Sequence, residues 1–407
     1  MRTALACLLT LAIACPASAC FSALAEETDL TIAAALSGDA PALERIRTLG
    51  RAGLAAVQAA YAADAADGVV DERAWEPLFT ASAHALGARA NGLFWHTRLE
   101  HAQIEAQETG KPILMLRLLG RLDQDLSCAN SRFFRAILYS DPAIIAALQK
   151  DVVLCWTSER PVPQLRIDFG DGRVVQTTIT GNSAHYLLDD QGRVRDVLPG
   201  LVTPAAFRTW LQGAIAKASP ITPAAGPATG LRSEITRLAD ERREALTAAG
   251  ISDDLIDTVE ARVARPVLDA GALAMSKRAV EAPILRAAAR ETRGNEHWAV
   301  WVPLAEHLDV DTTLAPEALA LLRTQLDDDF EGEALAAFDR DLRIDTVRNL
   351  YRLRPQALAI LAEGLFPDFA AFNARIYDEV FLTPASDAWL GLDPRAIVTG
   401  LDRGGLN

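Results

Sequence analysis

The tightest constraint on the fold lies between Gly92 and Ile215, where the spacing of apolar residues switches repeatedly between the helical and the extended period. Trp95 to Thr109 (WHTRLEHAQIEAQET) sets Leu99, Ala102, Ile104 and Ala106 on an amphipathic helix, and Gly110 ends it. Lys111-Pro112 leads into Ile113-Leu-Met-Leu116, a short apolar run suited to a buried strand. Arg132 to Leu138 returns to helix, and Ser140-Asp141-Pro142 supplies the cap and first turn of another helix, Ala143 to Gln149. Val152 to Trp156 is extended again. Ile167 to Val174 reads as a hairpin turning at Gly170-Asp171-Gly172, and Tyr186 to Leu198 as a second hairpin turning at Asp189-Asp-Gln-Gly192. Pro204 to Ile215 closes the region as a helix. This order of elements describes a small α/β layer structure with helices on both faces of a sheet.

The flanks carry helical patterning. Leu30 to Tyr61 is rich in Ala and Leu at helical spacing and is broken at Ser37-Gly38-Asp39 and at Gly50. After the Pro/Ala/Gly stretch Ser219 to Gly230 (SPITPAAGPATG), the chain is almost entirely helical in pattern to Asn407, with runs such as Glu317 to Leu326 and Ala357 to Leu365. Trp298, Trp301 and Trp389 are expected in its core. The expected organisation is a signal peptide (1–25), an N-terminal helical region (26–91), the α/β domain (92–216), a linker (217–232) and a C-terminal α-helical domain (233–407).

Arg2 followed by the apolar run Ala4 to Ala14 and then small residues has the form of an export signal, which predicts an exported, periplasmic or extracytoplasmic protein. Cleavage after Ala23-Leu24-Ala25 competes with processing before Cys20, which would make Cys20 a lipid anchor. No later run is long and apolar enough to span a bilayer, so no integral membrane span is expected. A net charge of -14 argues against nucleic acid or an anionic membrane surface as the main partner, and another exported protein is the expected partner. No phosphate-binding glycine loop, dinucleotide fingerprint or nucleophile elbow is present, and no cofactor is expected. His96, Glu100 and His101 lie close together, but no third ligand is indicated, and a surface helix explains them better than a metal site.

Loss of the signal leaves Cys128 and Cys155 as the cysteines of the mature body. The segment Trp95 to Ile113, with Leu99-Glu100, Ala102, Ala106 and Gly110-Lys111-Pro112, resembles the lead-in of exported thioredoxin-like proteins. Arg132 to Ile144 resembles the helix that follows their Cys-x-x-Cys, and Gln191-Gly192 through Phe207 resembles their final hairpin and helix. The resemblance implies a thioredoxin-like domain with a central mixed β-sheet and flanking helices, set between the two helical regions. It also implies that the strand at Val152 to Trp156 runs parallel to Ile113 to Leu116.

In this resemblance the first active-site cysteine falls on Cys128, the second on Ser131, the preceding tryptophan on Ser127 and the cis-proline on Ser183. Cys-x-x-Ser therefore stands where the family has Cys-x-x-Cys. A thiolate at Cys128 would gain from the first turn of a helix. Ser131 can donate a hydroxyl hydrogen bond to it but cannot attack a mixed disulfide. Cys155 is the candidate resolving thiol, with a disulfide to Cys128 and an inert buried thiol as its two alternatives. Two functions follow. One is a noncatalytic or weakly redox-active protein-interaction module; the other is a monothiol thiol-disulfide oxidoreductase in which Cys128 is the nucleophile and an external thiol resolves.

Overall fold

The computed structural model of the chain describes residues 17–68, 70–179, 181–218, 227–264, 298–326, 331–364 and 366–390. It divides into two units, residues 1–83 and 84–407. In the first, α1 (Ala17–Leu36), α2 (Ala40–Thr48), α3 (Gly50–Asp67) and α4 (Glu72–Ala83) pack around Ile46, Leu54, Val57, Leu78 and Phe79. The breaks fall where the sequence placed them, after Leu36, where Gly38 takes a left-handed φ of 89°, and before Gly50. Gly53 is required by close approach: a Cβ there would lie 2.8 Å from the Ile46 carbonyl oxygen.

The second unit opens with α5 (Ala88–Asn91) and then an extended segment in place of the first helical turn expected at Trp95. The His96 amide donates to the Leu154 carbonyl at 2.9 Å, and the Trp156 amide donates to the His96 carbonyl at 2.9 Å. This pairing outweighs local helical spacing, so α6 starts only at Leu99 (Leu99–Thr109). Gly110 ends it with a left-handed φ of 69°.

Strand β1 (Ile113–Leu119) follows, then α7 (Ala129–Phe133), which passes directly into a π-turn at Phe134–Leu138 where one helix was expected. Next come α8 (Pro142–Asp151), capped by Asp141, which accepts from the Ile144 amide at 3.0 Å, and β2 (Val153–Arg160). The ribbon β3 (Gln164–Asp168) and β4 (Val174–Thr178) turns at the expected glycines, and β5 (Ser183–Leu188), β6 (Val194–Pro199) and α9 (Pro204–Ala218) complete this part.

The main sheet has the order β2-β1-β5-β6. β1 runs parallel to β2, with Met115 opposite Cys155, and antiparallel to β5, with Leu118 opposite Ser183. Because side chains alternate along a strand, Leu116, Leu118, Ser183 and His185 share one face, and Met115, Arg117, Cys155 and Tyr186 share the other. α9 and the π-turn cover the first face: Phe134, Phe207 and Trp210 ring His185. α6 lies against β2 and β1.

The C-terminal helices complete the same unit: α10 (Pro227–Ala248), α11 (Asp253–Ala264), α12 (Trp298–His307), α13 (Pro316–Leu326) and α14 (Gly332–Arg348). After a π-turn at Asn349–Leu353 come α15 (Arg354–Glu363), α16 (Phe369–Arg375) and a last π-turn at Ile376–Val380. α15 runs along β6, where Arg354 bonds Asp196 at 3.3 Å and Glu234 at 2.8 Å. Phe369 and Phe372 of α16 pack on the Tyr186 ring, on the second sheet face. Trp301 is buried as expected, but Trp389 is 38% exposed and is not a core residue. The side chain of Trp298, residue Leu365 and half of the expected linker (219–226) lie outside the described residues.

His185 is fully buried, with its Nε2 2.7 Å from the Tyr139 hydroxyl, and burial pushes its pKa down to about 3. The unfolded chain binds a proton near pH 6.5 and the folded chain does not, so this contribution to stability is complete above that pH and is lost on acidification. Between pH 6.5 and 5, above the ordinary carboxylate range, the expected slope is about 1 kcal/mol per pH unit. Urea unfolding of His185→Gln, which can still bond Tyr139, should show this slope largely removed.

Candidate functional site

The loop after β1 is built on Gly120. Its φ of 78° turns the chain, and a Cβ there would stand 3.1 Å from both the Ser127 Cα and the Val162 Cγ1. The Gly120 amide donates to the Arg160 carbonyl at 2.8 Å, and the Cys128 amide donates back to the Leu119 carbonyl at 3.1 Å. The loop is thus closed onto the carboxyl end of β1. Cys128 stands at the N-cap of α7 with extended backbone, so its side chain leaves the helix axis and meets the start of β5.

The structure brings three of the expected residues together. The Cys128 Sγ lies 2.9 Å from the Ser183 Oγ and donates toward the Ser131 Oγ at 3.5 Å. The Ser131 hydroxyl is also within 2.7 Å of the Ser127 Oγ and 2.8 Å of the Cys128 carbonyl. Cys128, Ser127, Ser131 and Ser183 are all fully buried. Arg135, one side of this cluster, donates to the Ser127 Oγ at 2.9 Å, and burial lowers its pKa to about 10 against a partial offset from Asp125. Burial likewise lowers Arg132, with Cys128 opposing the shift, while its Nη2 donates to the Thr178 Oγ1 at 2.9 Å. Thr178 donates in turn to the Ser127 carbonyl at 3.1 Å, and the Asn130 amide donates to the Gly181 carbonyl.

Cys155 is elsewhere. It is level with Met115, whereas Ser183 is level with Leu118, three residues along β1 or about 10 Å. An odd step also puts Cys155 on the opposite sheet face from Ser183. A disulfide needs Cα atoms within about 7 Å, and both cysteines are free and buried. Burial pushes the Cys155 thiol up to about 12, with Glu100 adding to the shift and Arg117 opposing it. Such a thiol is not a nucleophile at neutral pH.

The sequence did not mark the residues that close this end of the sheet. Arg117 pairs with Glu159 across β1 and β2, and the Asn373 amide donates to the Glu159 Oε2 at 2.8 Å while its oxygen accepts from the Tyr186 hydroxyl at 3.0 Å. The Tyr377 hydroxyl donates to the Asn182 carbonyl at 3.1 Å, and the Asn182 Nδ2 donates to the Thr383 Oγ1 at 2.9 Å. Burial raises the Tyr377 pKa well above its ordinary value, so the hydroxyl stays a donor. Asn349 donates to the Leu201 carbonyl at 2.6 Å. For Asn349 and Thr383 the sequence signal is the mix of Asn, Thr, Asp and aromatic residues at 345–351 and 381–390, a pattern that packing and capping also produce, while Asn373 and Tyr377 lie outside both stretches.

His96 bonds Glu105 at 2.7 Å rather than approaching Glu100 along a helix, and no cluster of three or more metal-ligating side chains occurs among the described residues. The chain matches no protein-family model, no curated protein and no solved structure. Asn373→Leu, of similar volume, strips one partner from the Tyr186 hydroxyl and one from Glu159. Urea unfolding should report a loss of about 2–4 kcal/mol, far above that of a surface substitution.

Proposed function

We propose that residues 92–216 form a thioredoxin-like domain of an exported protein, and that this domain serves as a protein-interaction module with no turnover in thiol-disulfide exchange. The observation that carries this reading is the state of Cys128: its thiol is fully buried and bonded to Ser183, with no second thiol within bridging reach among the described residues. Exchange begins with attack by an accessible thiolate on a disulfide sulfur, and an enclosed thiol cannot reach one.

Support for the thioredoxin-like part comes from the sheet order β2-β1-β5-β6, from the parallel β1/β2 pair joined through helices, and from Cys128 capping the helix that follows β1. Ser183 lying against Cys128 fits its position as the counterpart of the family's cis-proline. Export rests on the form of residues 1–25. On this reading the partner is another exported protein met through strand pairing. The β3–β4 ribbon, a separate two-stranded sheet with Phe169 and Val174 exposed near its turn, is the surface best suited to it.

Alkylation of Cys155→Ser as a function of pH tests the proposal. Cys128 should stay unmodified in the folded protein from pH 6 to 9 and react fully once it is unfolded in urea. Reduction of a small disulfide by glutathione should run at the same rate with the wild type, with Cys128→Ala and with no protein. Rapid labelling with an apparent pKa well below about 8.5 would instead support a monothiol oxidoreductase with Cys128 as nucleophile and an external resolving thiol.

A further inference from the structure

We propose that residues 381–390 are a releasable strap that closes the carboxyl end of the sheet over Cys128. Arg160, at the end of β2, donates through its guanidinium to the Asp387 carbonyl at 2.8 Å and to the Ala388 carbonyl at 3.1 Å. Asn182, just before β5, donates to the Thr383 hydroxyl at 2.9 Å. In the sheet order β2-β1-β5-β6, β1 lies between these two anchors. A segment held by β2 at one end and by β5 at the other passes across the end of β1, from which Cys128 hangs through Leu119. The anchors are two strand spacings apart, about 10 Å, a gap that the five residues from Thr383 to Asp387 bridge with the reach of the Arg160 side chain.

Both anchors adjoin the thiol. The Arg160 carbonyl accepts from Gly120, the residue after the Leu119 carbonyl that Cys128 uses. Asn182 is followed by Ser183, whose hydroxyl touches the Cys128 sulfur.

The strap has the marks of a segment held by its contacts and not by its own conformation. It has no helix or strand. Leu382 and Leu390 take left-handed φ values of 53° and 55°, a region unfavourable for a bulky non-glycine residue. Its base is pinned where the Thr383 amide donates to the Tyr377 carbonyl at 2.7 Å, and Phe381 is buried beside the Tyr377 ring. Beyond that base, Asn182 and Arg160 hold it through a hydroxyl and two backbone carbonyls, and Leu390 is buried at its far end. Loss of those polar bonds loosens the stretch between Thr383 and Leu390, where Ala385, Ser386, Ala388 and Trp389 are exposed, without dismantling the sheet. The inference rests on the reading of Cys128 as a closed thiol, and Cys155, buried in the middle of the sheet, is an internal clock for global opening.

The test is peptide-level mass spectrometry of iodoacetamide labelling at both cysteines, together with backbone hydrogen exchange of 381–390, in the wild type, Arg160→Ala and Arg160→Ala/Thr383→Val. Exchange of 381–390 should accelerate, and Cys128 labelling should rise about tenfold or more in the double variant while Cys155 stays at its wild-type rate. Arg160→Ala leaves no buried donor unpaired, so it should show a smaller rise in the same direction even if the double variant does not fold. Parallel gains at Cys128 and Cys155 would mean global unfolding and overturn the strap. So would a protected Cys128 with accelerated exchange at 381–390, or no change in either. Fast labelling of Cys128 already in the wild type would instead remove the closed-thiol reading on which the strap depends.

Discussion

Strand β1 is hydrogen-bonded along both edges, to β2 in parallel and to β5 in antiparallel register, and the second unit is arranged around that pairing. A parallel neighbour cannot be reached by a tight turn, so the chain between β1 and β2 must cross one face of the sheet, which it does through α7, the π-turn and α8. An antiparallel neighbour needs no such crossover, and the ribbon β3–β4 lies in the chain between β2 and β5. Burial on both faces explains why the β1 sequence is a continuous apolar run broken only by Arg117.

Arg117 is where the second face becomes polar, and it sets what the C-terminal helices must supply. A charge placed there has to be paired. Glu159 does so from β2, Asn373 from α16 satisfies Glu159 and Tyr186 together, and Tyr377 and Thr383 satisfy Asn182 one strand over. Each bond contributes about 1 kcal/mol, but leaving one buried group unpaired costs more. The helical region is therefore bound to the sheet by polar groups that are buried or largely so, in addition to the apolar contact of Phe369 and Phe372 with Tyr186. Cys128 lies at the junction of these two parts, and its burial follows from the way they join.

The layout of 92–216 was legible in the sequence because each of its elements carries a local period: Ile113 to Leu116 and Val152 to Trp156 as buried strands, the Gly170-Asp171-Gly172 hairpin, and the Asp141-Pro142 start of a helix. Cys128, Ser131 and Ser183 were brought to attention by a resemblance, and the fold places the three in contact. Their surroundings were not legible. The Ser183 partner lies far along the chain from Cys128, and Asn182 meets Thr383 across nearly half the sequence, with no periodicity to mark either. Trp95 and His96 misled for a related reason: their helical spacing is real, but backbone pairing with β2 satisfies more buried groups than one extra turn would.

By itself, then, the sequence determined most of the strands and helices within each segment, a serine and not a second cysteine one turn after Cys128, and a charge balance unsuited to nucleic acid, since these are set by local spacing and composition. Only the tertiary structure decided that Cys155 and Ser183 point to opposite faces of the sheet, that the serines at 127, 131 and 183 enclose the thiol, and that the C-terminal segment reaches the same end of the sheet. The physical reason is that strand register and the pairing of buried polar groups are settled between segments distant in the chain, where no local preference can specify the partner.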